Sequence, residues 1–400
     1  MMIRNISRSK KKSTITILLV MLLTVVLNAY IGNIAANMSQ LQALPDAVPV
    51  YCQITNLNGT RASGLVIEES LIRKMEDSGC IKDGAYTIRM MGGIGAFELE
   101  DWKANLNLFI TGANRVEAIP GLGAEDIALS AGEQEAFFRS SDEKCIVSSS
   151  LMKERGWKIG DTIQLNLYYY IYDDREGILC RPLTLIDVEI AAQMEPVFSA
   201  DGQNVTDILL PLKTVQACFE SQGIPCSMDS ASFYMADPFQ MNAFKDYMRE
   251  LGFLEKAPDA RDSYKGIALT MRDTIFISSA ENLEETVAVM EAFFPPICIF
   301  LVLIGGAASF LLTISRKKEI TLMRALGVSA ARCAAVMWGE QMLLTLPGLL
   351  AGGGISLMFG ELHTVLATCG VVFLAYMAGV LGTMCWMVHK TSIQILLGEE

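Results

Sequence analysis

Apolar residues gather in four long blocks along the chain, separated by mixed sequence. Thr14 to Ile34 holds no charged residue and is rich in Ile, Leu and Val. Ala292 to Ser315 and Thr364 to Val388 are likewise uncharged, and Cys333 to Gly360 carries a single charge, Glu340. Crossing a hydrocarbon core takes roughly 20 helical residues. Within lipid only a helix satisfies its backbone groups inside one segment. The pattern therefore predicts transmembrane helices over 14–36, 292–315, 333–360 and 364–388.

Between the first two blocks the spacing changes. Ile67, Leu71, Ile72 and Met75 recur at helical intervals and the run stops at Gly79. Tyr86 to Met91 reads as a strand after Asp83-Gly84. Cys145 to Val147, Thr162 to Tyr172, Leu183 to Ala192 and Ser232 to Met235 read as further strands. Ser149 to Gly156, Thr214 to Ser221 and Met241 to Leu251 read as helices. Such a mixture predicts an α+β domain over 37–291. Asn282 to Phe294 reads as a helix feeding the second span, with Pro295-Pro296 marking a break between the two.

Charge adds the orientation. The chain has 400 residues, 52% of them hydrophobic and 19% charged, with a formal charge of −12. That composition excludes a disordered chain and a nucleic-acid binder. Arg4, Arg8, Lys10, Lys11 and Lys12 precede the first block; Arg316, Lys317, Lys318, Arg324 and Arg332 lie between the second and third; Lys390 follows the fourth. The link Glu361 to His363 has no Lys or Arg. Basic flanks stay in the cytoplasm. Residues 1–13, 316–332 and 389–400 are thus expected inside, and 37–291 outside a cell membrane that the chain crosses several times. Residues 37–291 carry 21 basic against 39 acidic residues, a net of −18. The first block also resembles a signal peptide, but Ile34-Ala35-Ala36 is a poor cleavage site, so it reads as an uncleaved anchor.

Candidate chemistry is sparse. There are two histidines, His363 and His389, and neither lies in 37–291. A Ser-His-Asp or Cys-His centre cannot be built there. No Gly-Lys dipeptide occurs, so no P-loop is present, and HExxH and GxSxG are absent too. No catalytic or metal site is expected. Cys52, Cys80, Cys145, Cys180, Cys218 and Cys226 fall in the exported segment, where either disulfides or free buried thiols fit the sequence. In the third block Glu340 is an intramembrane carboxylate, a functional candidate by default. Gly348 and Gly352 follow a GxxxG spacing that permits close helix packing, and they are candidates for packing or gating.

Ser315 to Ala331 is the most informative stretch. On a helix Ile320, Met323, Leu326 and Gly327 share one side, and Lys317, Lys318, Thr321 and Arg324 share the other. An amphipathic helix of this kind rests on lipid headgroups or docks into a partner groove. Gly327 is a natural helix end and Ser329 a natural N-cap for the next helix.

These residues resemble a family. Arg316-Lys317-Lys318-Glu319-Ile320 followed by Met323-Arg324-Ala325-Leu326-Gly327 is similar to the cytoplasmic loop of FtsX-like/MacB-like ABC transporter permeases, the type VII ABC mechanotransmission family. Gly305-Gly306, and Glu340 followed by Gly348, Gly352 and Gly354, resemble that family's second and third helices. Val147 to Leu151 and Gly156 to Ile163 resemble its periplasmic-core phrase, and Leu210-Pro211-Leu212 its later strand. The resemblance implies four transmembrane helices with a large α+β extracytoplasmic domain inserted between helices 1 and 2. It implies a non-catalytic membrane subunit acting as a homodimer or heterodimer with separate ABC ATPase subunits, which would bind the ATP and Mg. The 316–332 helix would be the ATPase-coupling element: Ile320, Met323 and Leu326 would dock, Arg316, Lys317 and Arg324 would meet headgroups or acidic ATPase residues, Glu319 would pair with Arg316, and Gly327 would turn the chain. The competing reading is a membrane-anchored receptor or adhesion protein without ATP coupling.

Overall fold

Where the long apolar runs stop, strands take over. In the computed structural model, residues 10–96, 105–173, 177–199, 202, 204–259, 266–314 and 317–397 are described. Two units form: Pro45–Ile277, and Met1–Leu44 together with Ser278–Glu400.

In chain order the elements are helix α1 (Lys10–Ala47), strands β1 (Tyr51–Asn56) and β2 (Ile67–Glu68), α2 (Glu69–Asp77), β3 (Ile81–Ile94), β4 (Leu108–Ala113), α3 (Ala131–Arg139), β5 (Lys144–Ser148), α4 (Ser149–Arg155), β6 (Thr162–Asp173) and β7 (Gly177–Met194). There follow β8 (Val197–Phe198), β9 (Asn204–Thr206), β10 (Ile208–Pro211), α5 (Leu212–Ser221), β11 (Ser227–Met228), β12 (Ser230–Met235), α6 (Met241–Glu250), β13 (Leu254–Glu255) and β14 (Ile267–Arg272). The chain ends in α7 (Thr274–Ile314), α8 (Lys317–Ala325), α9 (Ala330–Ser356) and α10 (Leu362–Leu397).

The first of these units is α+β. Its main sheet has the order β13-β14-β1-β12-β3-β4-β10-β5-β7-β6, and β6 also pairs with β3, so that six of the strands close into a ring. β5 and β10 are buried along almost their whole length, as strands covered on both faces must be. Ile146 and Leu209 from these strands join Phe137 and Phe138 of α3 in one core cluster. At the other end of the sheet Phe233 of β12 meets Phe244 of α6 edge to face, with ring centroids 5.8 Å apart. The segment Gly156 to Thr162 makes the entry to β6. Gly156 closes α4 at φ +70, and Asp161 accepts a hydrogen bond from the Lys158 backbone N–H at 2.8 Å.

Two local expectations change. β3 starts at Ile81, ahead of Asp83-Gly84, so that pair is not a turn. Asp83 has φ 56, and the pairing of β3 with β12 shifts register opposite it, between Ser232 and Tyr234. The extra residue is absorbed as a bulge while the ladder continues. The strand-to-helix change at Ile67 also differs: Ile67 pairs with Met228, and the helix starts only at Glu69.

Among the described residues the helical unit has four helices long and apolar enough to span a membrane. Three run further than the apolar blocks, α1 with 38 residues, α7 with 41 and α10 with 36, whereas α9 begins at Ala330 and ends at Ser356, short of the expected 360. The strand-bearing unit is correspondingly shorter than 37–291. Pro295-Pro296 does not break the helix; both sit inside α7. A proline in a membrane helix forfeits one backbone bond, which neighbouring helices and local adjustment make good. Tyr30 of α1 donates its hydroxyl to the Met290 carbonyl of α7, tying the two long helices together.

Glycines set the helix contacts. A Cβ added at Gly348 would lie 2.8 Å from the Ile17 carbonyl oxygen and from the Val20 Cβ, and at Gly352 2.8 Å from the Met21 carbonyl oxygen and the Thr24 Cβ. The GxxxG pair thus seats α9 against α1 at backbone distance. A second seam joins α7 and α10, where Gly305 faces the Tyr376 backbone, Gly306 and Gly379 face each other's, and Thr383 donates to the Gly306 carbonyl at 3.1 Å.

Candidate functional site

The short helix α8 is built by its ends. Lys317 opens it. At its C-terminus Gly327 takes φ +85, a conformation that glycine adopts without a Cβ penalty. The Val328 N–H reaches back to the Met323 carbonyl at 3.1 Å and the Gly327 N–H to Arg324 at 3.0 Å, which satisfies carbonyls the helix would otherwise leave open. Ser329 then starts α9: its hydroxyl accepts from the Arg332 N–H at 3.4 Å. Helix, reversal and new cap fall where the sequence pattern put them.

The faces of the helix fall differently. Ile320 is 0% exposed and belongs to the bundle's buried cluster with Met337, Val380 and Met384. Its expected role as a docking residue is therefore corrected: a side chain enclosed by its own bundle offers nothing to a partner. Leu322 and Leu326 are 65% and 77% exposed and stand one turn apart on the outward side, together with exposed Glu319. Met323 is half-buried. Arg324, also half-buried, donates from Nη1 to the Val328 carbonyl at 3.1 Å, so part of its guanidinium serves the turn. Arg316 and its expected pairing with Glu319 lie outside the described residues.

Sequence reasoning missed Leu322. The available signal was its four-residue spacing to Leu326. In a helix that packs on a bundle, the stronger apolar side turns inward first.

Glu340 lies in α9 and is 6% exposed, next to buried Gln341 and close to Thr345, whose hydroxyl donates to the Gln341 carbonyl at 2.5 Å. It sits about 15 Å along the helix from its first residue, at the standard helical rise. Gly348 and Gly352, about two and three turns beyond Glu340, form the seam with α1 described above.

No family model and no curated protein matches the chain. Among solved structures, it is similar to the periplasmic region of MacB from Actinobacillus actinomycetemcomitans, at 12% identity and a TM-score of 0.32, over 57% of this chain and 91% of that one. It is also similar to the extracellular domain of the noncanonic ABC-type transporter YknZ from Gram-positive bacteria, at 12% identity and a TM-score of 0.30, over 55% and 99%. Likeness at this level says nothing of what the chain does.

The six thiols of 37–291 are free among the described residues. Burial pushes Cys52, Cys145 and Cys226 up to about 12. Thiols so far from ionising are poor nucleophiles.

Proposed function

We propose that this chain is the membrane subunit of an ABC transporter of the FtsX-like/MacB-like kind, coupling ATP hydrolysis on a separate ATPase to motion of the segment 37–291 at the outer face of the membrane. Its task would be export, extraction or signalling there. The observation that carries the reading is α8: a helix of 9 residues, closed by Gly327, recapped by Ser329, with Leu322 and Leu326 exposed together on its outer side. A basic flank that only fixed topology would need neither the reversal nor an exposed apolar pair. Ile320 anchors the helix in the bundle. A push on Leu322 and Leu326 then moves the bundle instead of bending a loose loop. From there the motion would pass along α1 and α7, the longest helices among the described residues. The subunit would work as a dimer, with both termini and α8 in the cytoplasm and ATP and Mg held by the partner.

Affinity purification from the native membrane is expected to recover a P-loop ATPase. In reconstituted complexes Leu322→Asp or Leu326→Asp is expected to abolish stimulated ATP hydrolysis while insertion stays normal. Full stimulation in both variants, or recovery of the intact chain with no ATPase, would favour the receptor or adhesion reading instead.

A further inference from the structure

The edge of β3 that faces away from β4 is shared by two strands. β12 pairs with it from Ile81 to Thr87, and β6 from Met91 to Ile94. Ile88, Arg89 and Met90 lie between the two pairings, and there the sheet forks. The Asp229 N–H, just ahead of β12, bonds the Thr87 carbonyl at 2.7 Å and holds one side of the fork. Beyond Tyr168, the last residue of β6 paired with β3, Tyr169, Tyr170 and Ile171 run along the other side.

The fork opens into a cavity of about 380 Å³, within the range of small-molecule sites. Its wall is largely apolar and aromatic: Val66, Tyr169, Ile171, Phe219 and Ile224 line it. The Tyr169 and Phe219 rings meet edge to face at 5.5 Å, which stiffens that wall. One charged pair stands in it, Arg89 and Asp229, 140 residues apart in the chain.

The two members of this pair are not equally committed. Asp229 accepts the Gly64 N–H on Oδ1 at 3.0 Å and the Arg89 Nε on Oδ2 at 2.8 Å, so both of its oxygens are engaged. Arg89 contributes only Nε; its Nη1 and Nη2 make no hydrogen bond or ion pair among the described residues. The spare hydrogen-bonding capacity in the cavity is therefore a pair of charged donors. A guanidinium edge takes a carboxylate through two parallel bonds. The nearby Asp229 and the acidic composition of 37–291 disfavour a group of higher negative charge.

We infer that this fork is a binding site for a small apolar carboxylate, an aromatic or branched hydrocarbon body in the cavity with its single carboxylate on the Arg89 terminal nitrogens. The site is independent of ATP coupling and would serve a transporter or a receptor equally.

The test uses the full chain in lipid nanodiscs, with empty nanodiscs as the blank and N-benzoylleucine as the probe. Equilibrium dialysis is expected to show saturable binding of the acid, and at least about tenfold weaker binding of its uncharged primary amide, the factor that one charge-assisted hydrogen bond supplies. Arg89→Gln is expected to remove the preference for acid over amide. Because that change leaves Asp229 without its counter-ion, Val66→Trp provides a variant with the pair intact; a bulky ring at this exposed rim position should reduce binding of acid and amide alike. Thermal melts verify that both variants are folded. Equal binding of acid and amide to the unaltered chain, no saturable binding above empty discs, or unaltered binding in folded Val66→Trp would each overturn the inference.

Discussion

In the β domain the largest residues removed from solvent are apolar, Phe233, Phe244, Ile54 and Ile146, beside small polar ones such as Thr55 and Thr206, and the charges lie outside. In the helical unit a buried apolar cluster around Val20, Leu27, Tyr376 and Val380 shares the interior with polar side chains, and large apolar side chains also face outward. Thr24, Asn28, Ser309, Thr313, Glu340, Gln341, Thr345 and Thr368 are buried, while Ile15, Leu18, Leu22 and Val26 of α1 and Leu366, Leu374 and Leu381 of α10 are exposed. Both units obey one physical rule in two solvents. Water drives apolar area inward. Lipid tails are as apolar as leucine, so helix association there relies on close backbone approach and polar contacts. That is why glycines on the long helices line the seams at Gly348, Gly352 and Gly379, whereas many of those in the β domain take positive φ in turns.

The comparison breaks first at the aromatic core. Phe233→Ala should cost the β domain about 3–5 kcal/mol; a melting curve unchanged by it would mean that this core carries little of the stability. Next comes a matched pair of exposed leucines, Leu374 at 69% and Leu185 of β7 at 40%. Leu374→Lys should raise the insertion free energy by about 3–4 kcal/mol, read as loss of membrane-integrated chain, whereas Leu185→Lys should stay within about 0.5 kcal/mol. Equal tolerance at the two positions would remove the claim that they face different solvents.

A third contrast lies within the bundle. Gly352→Ile should destabilise it by about 1–3 kcal/mol through overpacking against α1. Gly354 has nothing within 4 Å of an added Cβ, so Gly354→Ala should be neutral or slightly stabilising in the same detergent melt.

The smallest effects are titrations of the β domain. Ser130 donates through its hydroxyl and its N–H to the Glu133 carboxylate, holding it below the usual carboxylate range. That contribution is present above the ordinary carboxylate pKa and is lost as pH falls through the depressed value. Ser130→Ala should thus lower the melting temperature slightly at pH 7, with the gap closing in acid. Cys52 and Cys145 behave in the opposite sense. With folded values of about 12 against an ordinary 9.0, they leave stability untouched below pH 9 and oppose folding as pH rises beyond it. Maleimide should leave both unlabelled in the native chain at pH 8 and label them after denaturation.

How much of this was readable beforehand differs between the units. The spans were legible because about 20 uncharged residues have few alternatives to a membrane helix. The turn at Gly327 and the cap at Ser329 were legible because both are local chemistry. Strands β1, β4 and β14 were not read: their buried and half-buried positions follow from pairing partners far along the chain, such as Thr111 opposite Arg89 or Leu269 opposite Ile54. Sequence reasoning assigned no element between Gly92 and Ser141, yet that stretch supplies β4 and the Phe137-Phe138 side of the core.

Composition and periodicity by themselves marked which segments form helices long and apolar enough to cross a membrane, and that a short helix with defined ends joins the second of them to the third. Only the tertiary structure decided that Ile320 turns into the bundle while Leu322 and Leu326 face out, that Gly352 abuts the backbone of α1, and that Arg89 and Asp229 meet at a fork in the sheet. The reason is one of range. Transfer energies and caps act over a few neighbouring residues, whereas burial of a particular side chain depends on which distant segment arrives to cover it.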